Sequence, residues 1–137
     1  MSARVIFFPV KDPNVKLQKV VRAARFHFAK RERILFQVAD EKAAKFLDEL
    51  MWKMPAYGFL PHAISHHETD DYVVITDSKK NLNNSKYVFN LCPSPILAED
   101  TFRLIYELED MSTPNKLMLS RKRFEAYRSL KYIIESR

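Results

Sequence analysis

The chain contains 137 residues, 47% of them hydrophobic and 29% charged, a balance typical of one folded domain rather than of a disordered chain. Its only glycine is Gly58, so neither of the common glycine-rich phosphate-binding motifs can be present. The formal net charge of +6 at pH 7 favours an acidic partner, such as a nucleic acid or an acidic protein segment.

The positive charge is concentrated in two segments. Residues 11–33 have a net charge of +6 and residues 112–137 a net charge of +5, whereas residues 34–111 have a net charge of −6. These two basic segments are therefore the first candidates for contact with an anionic partner.

The first half of the chain alternates predicted strands and helices. A strand is predicted at residues 4–9, followed by a helix at 15–31 that Asn14 caps. A second strand follows at 34–39, and Asp40 caps a second helix. The apolar face of that helix is predicted to consist of Ala43, Phe46, Leu47 and Leu50. This spacing indicates a right-handed parallel βαβ unit.

The second half predicts further strands at residues 72–76, 87–91 and 102–108, and a terminal helix at 115–134. We therefore expect a single α/β domain over residues 1–137. It should have three layers, with a central mixed, largely parallel sheet and a C-terminal helix.

The N-terminus lacks the apolar run of a signal peptide, and no segment approaches the roughly 20 apolar residues that cross a bilayer. Cys92 is the only cysteine, so no internal disulfide can form and a reducing compartment is indicated. We expect a soluble cytoplasmic protein without a membrane partner.

Imidazoles and carboxylates between residues 62 and 71 form the most metal-like cluster. His62, His66 and Asp70 could bind a divalent cation, as in a small metal-dependent hydrolase. The spacing matches no metal-site motif, and no motif of nucleophilic catalysis surrounds Cys92. The hydrolase is the least favoured alternative, and we expect no catalytic residues, metal or other cofactor.

Large apolar residues crowd the end of the second helix and the turn after it. They are Met51, Trp52, Met54, Tyr57 and Phe59. A turn that contains Pro55 and Gly58 cannot easily direct all five inward. The pattern fits closure of the core and an exposed docking patch equally well.

The terminal helix separates into two faces at about 100° per residue. Leu117, Phe124 and Arg128 fall within roughly 60° of Arg121, and Lys131 lies about 80° away. The predicted core face is opposite and consists of Leu119, Ala126, Leu130 and Ile133. Basic groups beside an aromatic ring fit an acidic peptide with a hydrophobic end, a phosphate chain with stacked bases, or a plain solvated face.

Several of these segments resemble a known family. The motifs are D-E-K-A at residues 40–43, L-D-E-L-M-W at 47–52, Pro55, F-L-P-H at 59–62 and R-K-R-F-E-A-Y-R at 121–128. In this order they resemble the chi subunit of bacterial DNA polymerase III holoenzyme over most of the chain.

The resemblance implies a Rossmann-like, non-catalytic accessory subunit of the clamp-loader assembly that has no nucleotide site. One surface of such a subunit holds the psi subunit, and here it corresponds to Trp52, Pro55 and Phe59. Another binds the acidic, phenylalanine-ended C-terminal tail of single-stranded DNA-binding protein, so that DNA is reached indirectly. On this chain it corresponds to Lys116, Leu117, Arg121, Phe124 and Arg128.

The chain departs from the family pattern at this second surface. Phe124 stands where the family often has tyrosine, Glu125 where a basic residue is common, and Leu117 at a position expected to be basic. The alternative to the adaptor hypothesis is direct binding of single-stranded nucleic acid through the basic segments 11–33 and 116–137.

Overall fold

The computed structural model describes residues 3–54, 59–97 and 101–137. Over these residues the elements, in chain order, are β1 (Arg4–Val10), α1 (Pro13–Ala29), β2 (Ile34–Gln37), α2 (Glu41–Lys53), β3 (Ala63–Ile64), β4 (Val73–Thr76), β5 (Tyr87–Asn90), β6 (Leu104–Asp110), α3 (Pro114–Ser129) and β7 (Ile133–Ser136). The strands and helices predicted for the first half of the chain are confirmed, with small shifts at their ends.

The strands form one seven-stranded sheet in the order β3-β4-β2-β5-β6-β1-β7. Every strand pairing in the described residues is parallel, including β4 with β2 and β5 with β6. The three-layer α/β fold is confirmed, and its sheet is parallel where a mixed sheet was expected. The sequence does not reveal this because β4, β5 and β6 are joined by loops, which carry no signal of strand direction.

The direction in which the chain crosses the sheet sets the face on which each helix packs. From β1 to β2 and on to β3 the chain moves one way, so α1 and α2 cover the same face. From β6 to β7 it moves the other way, and α3 covers the opposite face. Among the described residues, no helix combines the length and apolarity that a bilayer span requires.

A side-chain cap fixes the start of each of these helices. Asp40 accepts a hydrogen bond from the backbone N–H of Ala43 at 2.8 Å, as predicted. The first helix begins at Pro13 because Asp12, rather than the predicted Asn14, is its N-cap. Thr113 caps α3 in the same way. All three caps lie just beyond the carboxyl ends of the strands.

The terminal helix is shorter than predicted, and this corrects the assignment of its core face. The helix ends at Ser129, and the chain then turns through Lys131, which has a positive φ of 62°. It continues as β7, parallel to β1. Leu130 and Ile133, predicted to be core residues, therefore lie outside the helix and are exposed. Hydrophobic periodicity cannot separate a helix from a short strand that directly follows it.

The buried face of α3 is instead mostly polar, formed by Ser120, Arg123 and Tyr127. Leu119 and Ala126 are half-buried. In α2 the buried residues are Ala44, Leu47 and Met51, whereas Phe46, predicted on the apolar face, is 58% exposed. Both faces are rotated relative to the prediction, because the apolar pattern alone left the direction of packing ambiguous.

A buried ion pair joins α3 to the sheet. The Glu107 side chain is fully buried on β6, and one carboxylate oxygen accepts from Arg123 Nε at 2.9 Å. The other oxygen accepts from Asn90 Nδ2 at 2.7 Å and from the Tyr127 hydroxyl at 2.5 Å. Burial raises the pKa of Glu107, and the guanidinium together with the other donors opposes that rise.

A second buried polar group lies on the opposite face of the sheet. His27, near the end of α1, donates from Nδ1 to Glu32 at 3.0 Å, since a carboxylate can only accept. Its Nε2 accepts from the Tyr106 hydroxyl at 2.7 Å, and its ring packs 4.2 Å from that of Tyr87, centroid to centroid. Burial lowers the pKa of His27 below its ordinary value of 6.5, although Glu32 acts in the opposite direction and Lys30 adds to the lowering.

The substitution Glu107→Gln is expected to reduce the free energy of unfolding by about 3–5 kcal/mol, because Arg123 then remains buried without a countercharge. Urea unfolding followed by far-UV circular dichroism measures this change. Glu125→Gln on the exposed face of α3 is the matched control and should change stability by less than about 0.5 kcal/mol. A loss below about 1 kcal/mol for Glu107→Gln would contradict the role given to the pair.

The free energy of unfolding is expected to fall as the pH drops below 6.5 towards the lower pKa of folded His27. In this window the unfolded chain binds a proton at residue 27 that the folded chain does not bind. Urea titrations at several pH values measure the slope, which His27→Gln should reduce. His67→Gln, at an exposed histidine, is the matched control for the loss of an imidazole. Equal slopes for wild type and His27→Gln would rule out this effect.

Candidate protein-binding surfaces on α3 and α2

The outward face of α3 contains a shallow groove of about 540 Å³. Its lining residues are Pro114, Leu117, Met118, Arg121, Lys122 and Glu125. Leu117 and Arg121, both singled out from the sequence, are one helical turn apart and lie side by side in this groove. Pro114 and Met118 were missed, although the same helical arithmetic places them within about 60° of Arg121.

Phe124 lies next to this groove on the helix surface. Its ring packs on Phe7 of β1, with the centroids 5.6 Å apart, and 37% of the residue remains exposed. One part of the ring therefore joins α3 to the sheet, while another part stays accessible. Phe124 can offer an apolar contact beside Arg121, which precedes it by three residues.

The charge of Arg128 is partly offset within the helix. Its Nη1 lies 3.7 Å from Oε1 of Glu125, and both side chains are largely exposed. Such an exposed pair contributes little to stability but lowers the local positive potential. Lys131 lies beyond the end of the helix, so the angular offset calculated for it from helical geometry does not apply.

Lys116 lies on another side of α3. It is about 140° from Arg121 around the helix. It lines a separate cavity of about 590 Å³ at the carboxyl ends of β2, β5 and β6, together with Leu47, Cys92 and Leu108. The structure therefore brings Leu117, Arg121, Phe124 and Arg128 onto one face of the helix and places Lys116 elsewhere.

Aromatic side chains at the end of α2 form a second exposed cluster. The Trp52 ring lies 5.3 Å from that of Phe59 and 4.6 Å from that of His62, centroid to centroid. Trp52 is 57% exposed and Phe59 is 67% exposed. Met51, by contrast, belongs to the core. The structure thus separates the core from the surface in this group, which the sequence alone could not do.

His62 anchors this aromatic cluster. Its Nδ1 lies 2.7 Å from the carbonyl oxygen of Leu60, and its Nε2 lies 3.1 Å from a carboxylate oxygen of Asp48 on α2. The ring is therefore fixed beneath Trp52. Pro55, predicted to shape this surface, lies outside the described residues, as does Tyr57.

The residues considered for metal binding have separate partners. His66 Nε2 lies 3.3 Å from Asp77, and Asp70 lies 3.8 Å from Arg33. His62 is held within the aromatic cluster. In the part of the chain that the structure describes, no group of three or more histidine, cysteine or acidic residues is arranged to hold a metal ion. The geometry therefore gives no support to the hydrolase alternative.

Cys92 is half-buried beside the cavity at the carboxyl ends of the strands. Burial raises the pKa of its thiol, and the charge of Glu107 raises it further. A thiol with a raised pKa is a poor nucleophile at neutral pH. These surroundings are those of a structural cysteine.

Comparison with known proteins agrees with the motifs noted in the sequence. The family model described as DNA polymerase III chi subunit, HolC, matches residues 2–135. The chain is also similar to a protein of Pseudomonas aeruginosa named DNA polymerase III subunit chi. The two are 24% identical over 134 residues, which cover 96% of this chain and 94% of the relative.

Proposed function

Because the chain belongs to the DNA polymerase III chi subunit family, we propose that it is a non-catalytic adaptor of the clamp-loader assembly. In this proposal α3 binds the acidic C-terminal tail of single-stranded DNA-binding protein, and the end of α2 docks a psi-like subunit. The observation that carries the first half is the groove on α3, where Arg121 and Leu117 lie together beside the accessible ring of Phe124.

The groove matches the chemistry of an acidic peptide that ends in phenylalanine. The guanidinium of Arg121 can form paired hydrogen bonds with a carboxylate of the tail. Leu117, Met118 and Phe124 supply apolar surface for the terminal ring. A second cation, Lys122, lines the same groove. Charge and apolar contact are thus combined in one shallow site.

The expected affinity is modest. Hydrogen bonds to charged groups contribute about 1.5–3 kcal/mol each, and burial of a phenylalanine side chain adds about 1.5–3 kcal/mol. The loss of translational and rotational freedom offsets much of this sum. Glu125 repels an acidic peptide and is itself paired with Arg128. We therefore expect a dissociation constant in the micromolar range.

The substitution Arg121→Ala is expected to weaken tail binding by about tenfold or more, because it removes the charge-assisted contact in the groove. Fluorescence anisotropy with a labelled peptide of the tail measures the dissociation constant. Lys80→Ala is the control, since Lys80 is an exposed cation in the loop after β4, away from α3. Removing the terminal phenylalanine of the peptide should weaken binding to the wild type by a similar factor.

The substitution Glu125→Lys extends this test in the opposite direction. It removes a repulsive carboxylate, frees Arg128 and adds a cation, so binding should tighten by about three- to tenfold. Glu49→Lys on α2 makes the same charge change away from the groove. If Arg121→Ala and Lys80→Ala bind the tail equally well, or Glu49→Lys strengthens binding as much as Glu125→Lys, the assigned groove is wrong.

The second half of the proposal rests on the exposure of Trp52 and Phe59. Two large rings that pack on each other and remain mostly exposed on a folded chain are typical anchors of a protein interface. The buried His62 ring supports Trp52 from below, so the surface is preorganised. A preorganised anchor loses little side-chain entropy when a partner covers it.

Trp52 is the only tryptophan, so its fluorescence reports directly on this surface. Addition of the psi-like subunit of the same organism, with any tryptophan of that partner replaced by phenylalanine, should shift the emission to shorter wavelength as water is displaced. Phe59→Ala should weaken the interaction by about 30-fold, the usual effect of an interface anchor. Phe46→Ala is the matched control, because Phe46 is an equally exposed aromatic of α2. An unshifted emission, or equal effects of the two variants, would exclude this docking surface.

A further inference from the structure

One flank of α1 carries cations and apolar side chains without any acidic residue. The helix contains no aspartate or glutamate at all. On the side of the helix away from the inward-facing His27, five residues lie within about 80° of one another around the helix axis. Four of them belong to α1, and the fifth is its C-cap residue. We call this set the α1 ridge, and its members are Val15, Lys19, Arg22, Phe26 and Lys30.

One aromatic ring of the α1 ridge, Phe26, lies among its cations, and a second ring, Phe8, lies beside the ridge on β1. Phe26 is 51% exposed, and Lys30 Nζ lies 4.5 Å from the centre of its ring. Lys19 Nζ lies 5.2 Å from the centre of the Phe8 ring on β1. These cation–π contacts hold the ammonium groups at the edge of apolar surface without neutralising them. The ridge therefore offers both positive charge and an exposed aromatic face.

The cations of the α1 ridge remain available to an external anion. In the described residues, none of Lys19, Arg22 and Lys30 forms an ion pair with an acidic side chain. Other cations of the first basic segment differ: Lys16 donates to Asp110 at 2.9 Å, and Arg33 is near Asp70. The acidic residue closest in sequence to Lys30 is Glu32. The charge of Lys30 acts on its carboxylate, but the two form no direct ion pair, and the carboxylate accepts hydrogen bonds from His27 and Tyr87.

The second basic segment is less available for binding an extended anion. Arg123 is buried against Glu107, Arg128 is paired with Glu125, and Arg137 is paired with Glu135. The other cations of α3, Lys116, Arg121 and Lys122, lie outside the ion pairs of the described residues, but they are about 100° or more apart around the helix. A row of unpaired cations along one flank is therefore found on α1 and not on α3.

We propose that the α1 ridge binds single-stranded nucleic acid, with phosphates contacting Lys19, Arg22 and Lys30 and a base stacked on Phe26. From Lys19 to Lys30 the ridge extends about 16 Å along the helix axis. Proteins that bind single strands without sequence preference combine basic surface with aromatic stacking in this way. An acidic peptide with a hydrophobic end needs a recess for that end, and no residue of the α1 ridge lines either cavity described above. Two apolar residues are too few for stable membrane binding.

The α1 ridge lies on the opposite face of the sheet from the groove on α3. One chain could therefore contact a single strand and a protein tail at the same time. This inference is independent of the tail-binding proposal, since it uses no residue of α3.

The test is fluorescence anisotropy with a labelled oligothymidylate of about 20 nucleotides between about 50 and 200 mM salt. The triple variant Lys19→Ala, Arg22→Ala, Lys30→Ala should lower the affinity at least tenfold. It should also reduce the slope of log K against log salt by about 2, since each phosphate contact contributes about 0.7. The control triple variant Lys42→Ala, Lys45→Ala, Lys53→Ala removes equal charge from α2 and should retain the wild-type slope.

Phe26→Ala separates stacking from charge. It should weaken binding of the oligothymidylate by about tenfold with the salt slope unchanged. It should have no effect on an abasic deoxyribose-phosphate oligomer of the same length. Phe46→Ala, an exposed phenylalanine of α2, is the control, and thermal melts by circular dichroism establish that each variant is folded.

Four results would overturn the inference. The first is no binding of the oligothymidylate at about 50 mM salt, and the second is binding that Arg121→Ala abolishes but the triple ridge variant does not. The third is an affinity for polyglutamate of matched charge that equals the affinity for the oligonucleotide and depends on the ridge to the same extent. The fourth is ridge-dependent binding to anionic lipid vesicles that is stronger than binding to the oligonucleotide. The third result would assign the ridge to an acidic protein, and the fourth to a membrane surface.

Discussion

The buried ion pair between Glu107 and Arg123 is the constraint on which the outer surface of α3 depends. Because Arg123 and Tyr127 must both reach the Glu107 carboxylate, the helix can adopt only one rotation about its axis. That rotation directs Arg121 and Leu117 away from the sheet, at about 200° and 120° respectively from Arg123. A helix with an ordinary apolar face could slide or rotate at small cost, whereas a buried charge pair loses most of its stabilisation when its geometry changes. The position of the groove is thus set by an interaction that lies beneath it.

The parallel topology explains why the three candidate surfaces are separate. The chain crosses the sheet in one direction through α1 and α2 and in the other through α3, so the groove on α3 and the α1 ridge lie on opposite faces. Trp52 and Phe59 lie where α2 leads towards β3, at one edge of the sheet. The adaptor role that we propose needs surfaces that can be occupied together, and this arrangement keeps them from overlapping. No nucleotide-binding loop is required for such a role, which agrees with the single glycine of the sequence.

The sequence predicted much of this fold but placed several residues of the candidate sites incorrectly or ambiguously. The alternation of strands and helices, the Asp40 cap and the pairing of Leu117 with Arg121 were predictable, because they depend on residues close together in the chain. The end of α3 was not, since Ile133 has the same apolar character in a strand as in a helix. Lys116 was grouped with Arg121 through the family resemblance, and the structure places it at another cavity. The exposure of Trp52 could not be read from its neighbours, because it depends on the packing of Phe59 and His62.

What the sequence by itself determined is the α/β character of the chain, the family resemblance and the existence of two basic segments, all of which are local or cumulative properties. What only the tertiary structure decided is which of those charges face solvent. Arg123 and Arg121 are two residues apart and chemically identical, yet one is buried against Glu107 and the other lines an open groove. Lys16 and Lys19 differ in the same way, since only Lys16 reaches the carboxylate of Asp110. The physical reason is that ion pairing and burial are set by residues distant in sequence, and these come together only when the sheet forms.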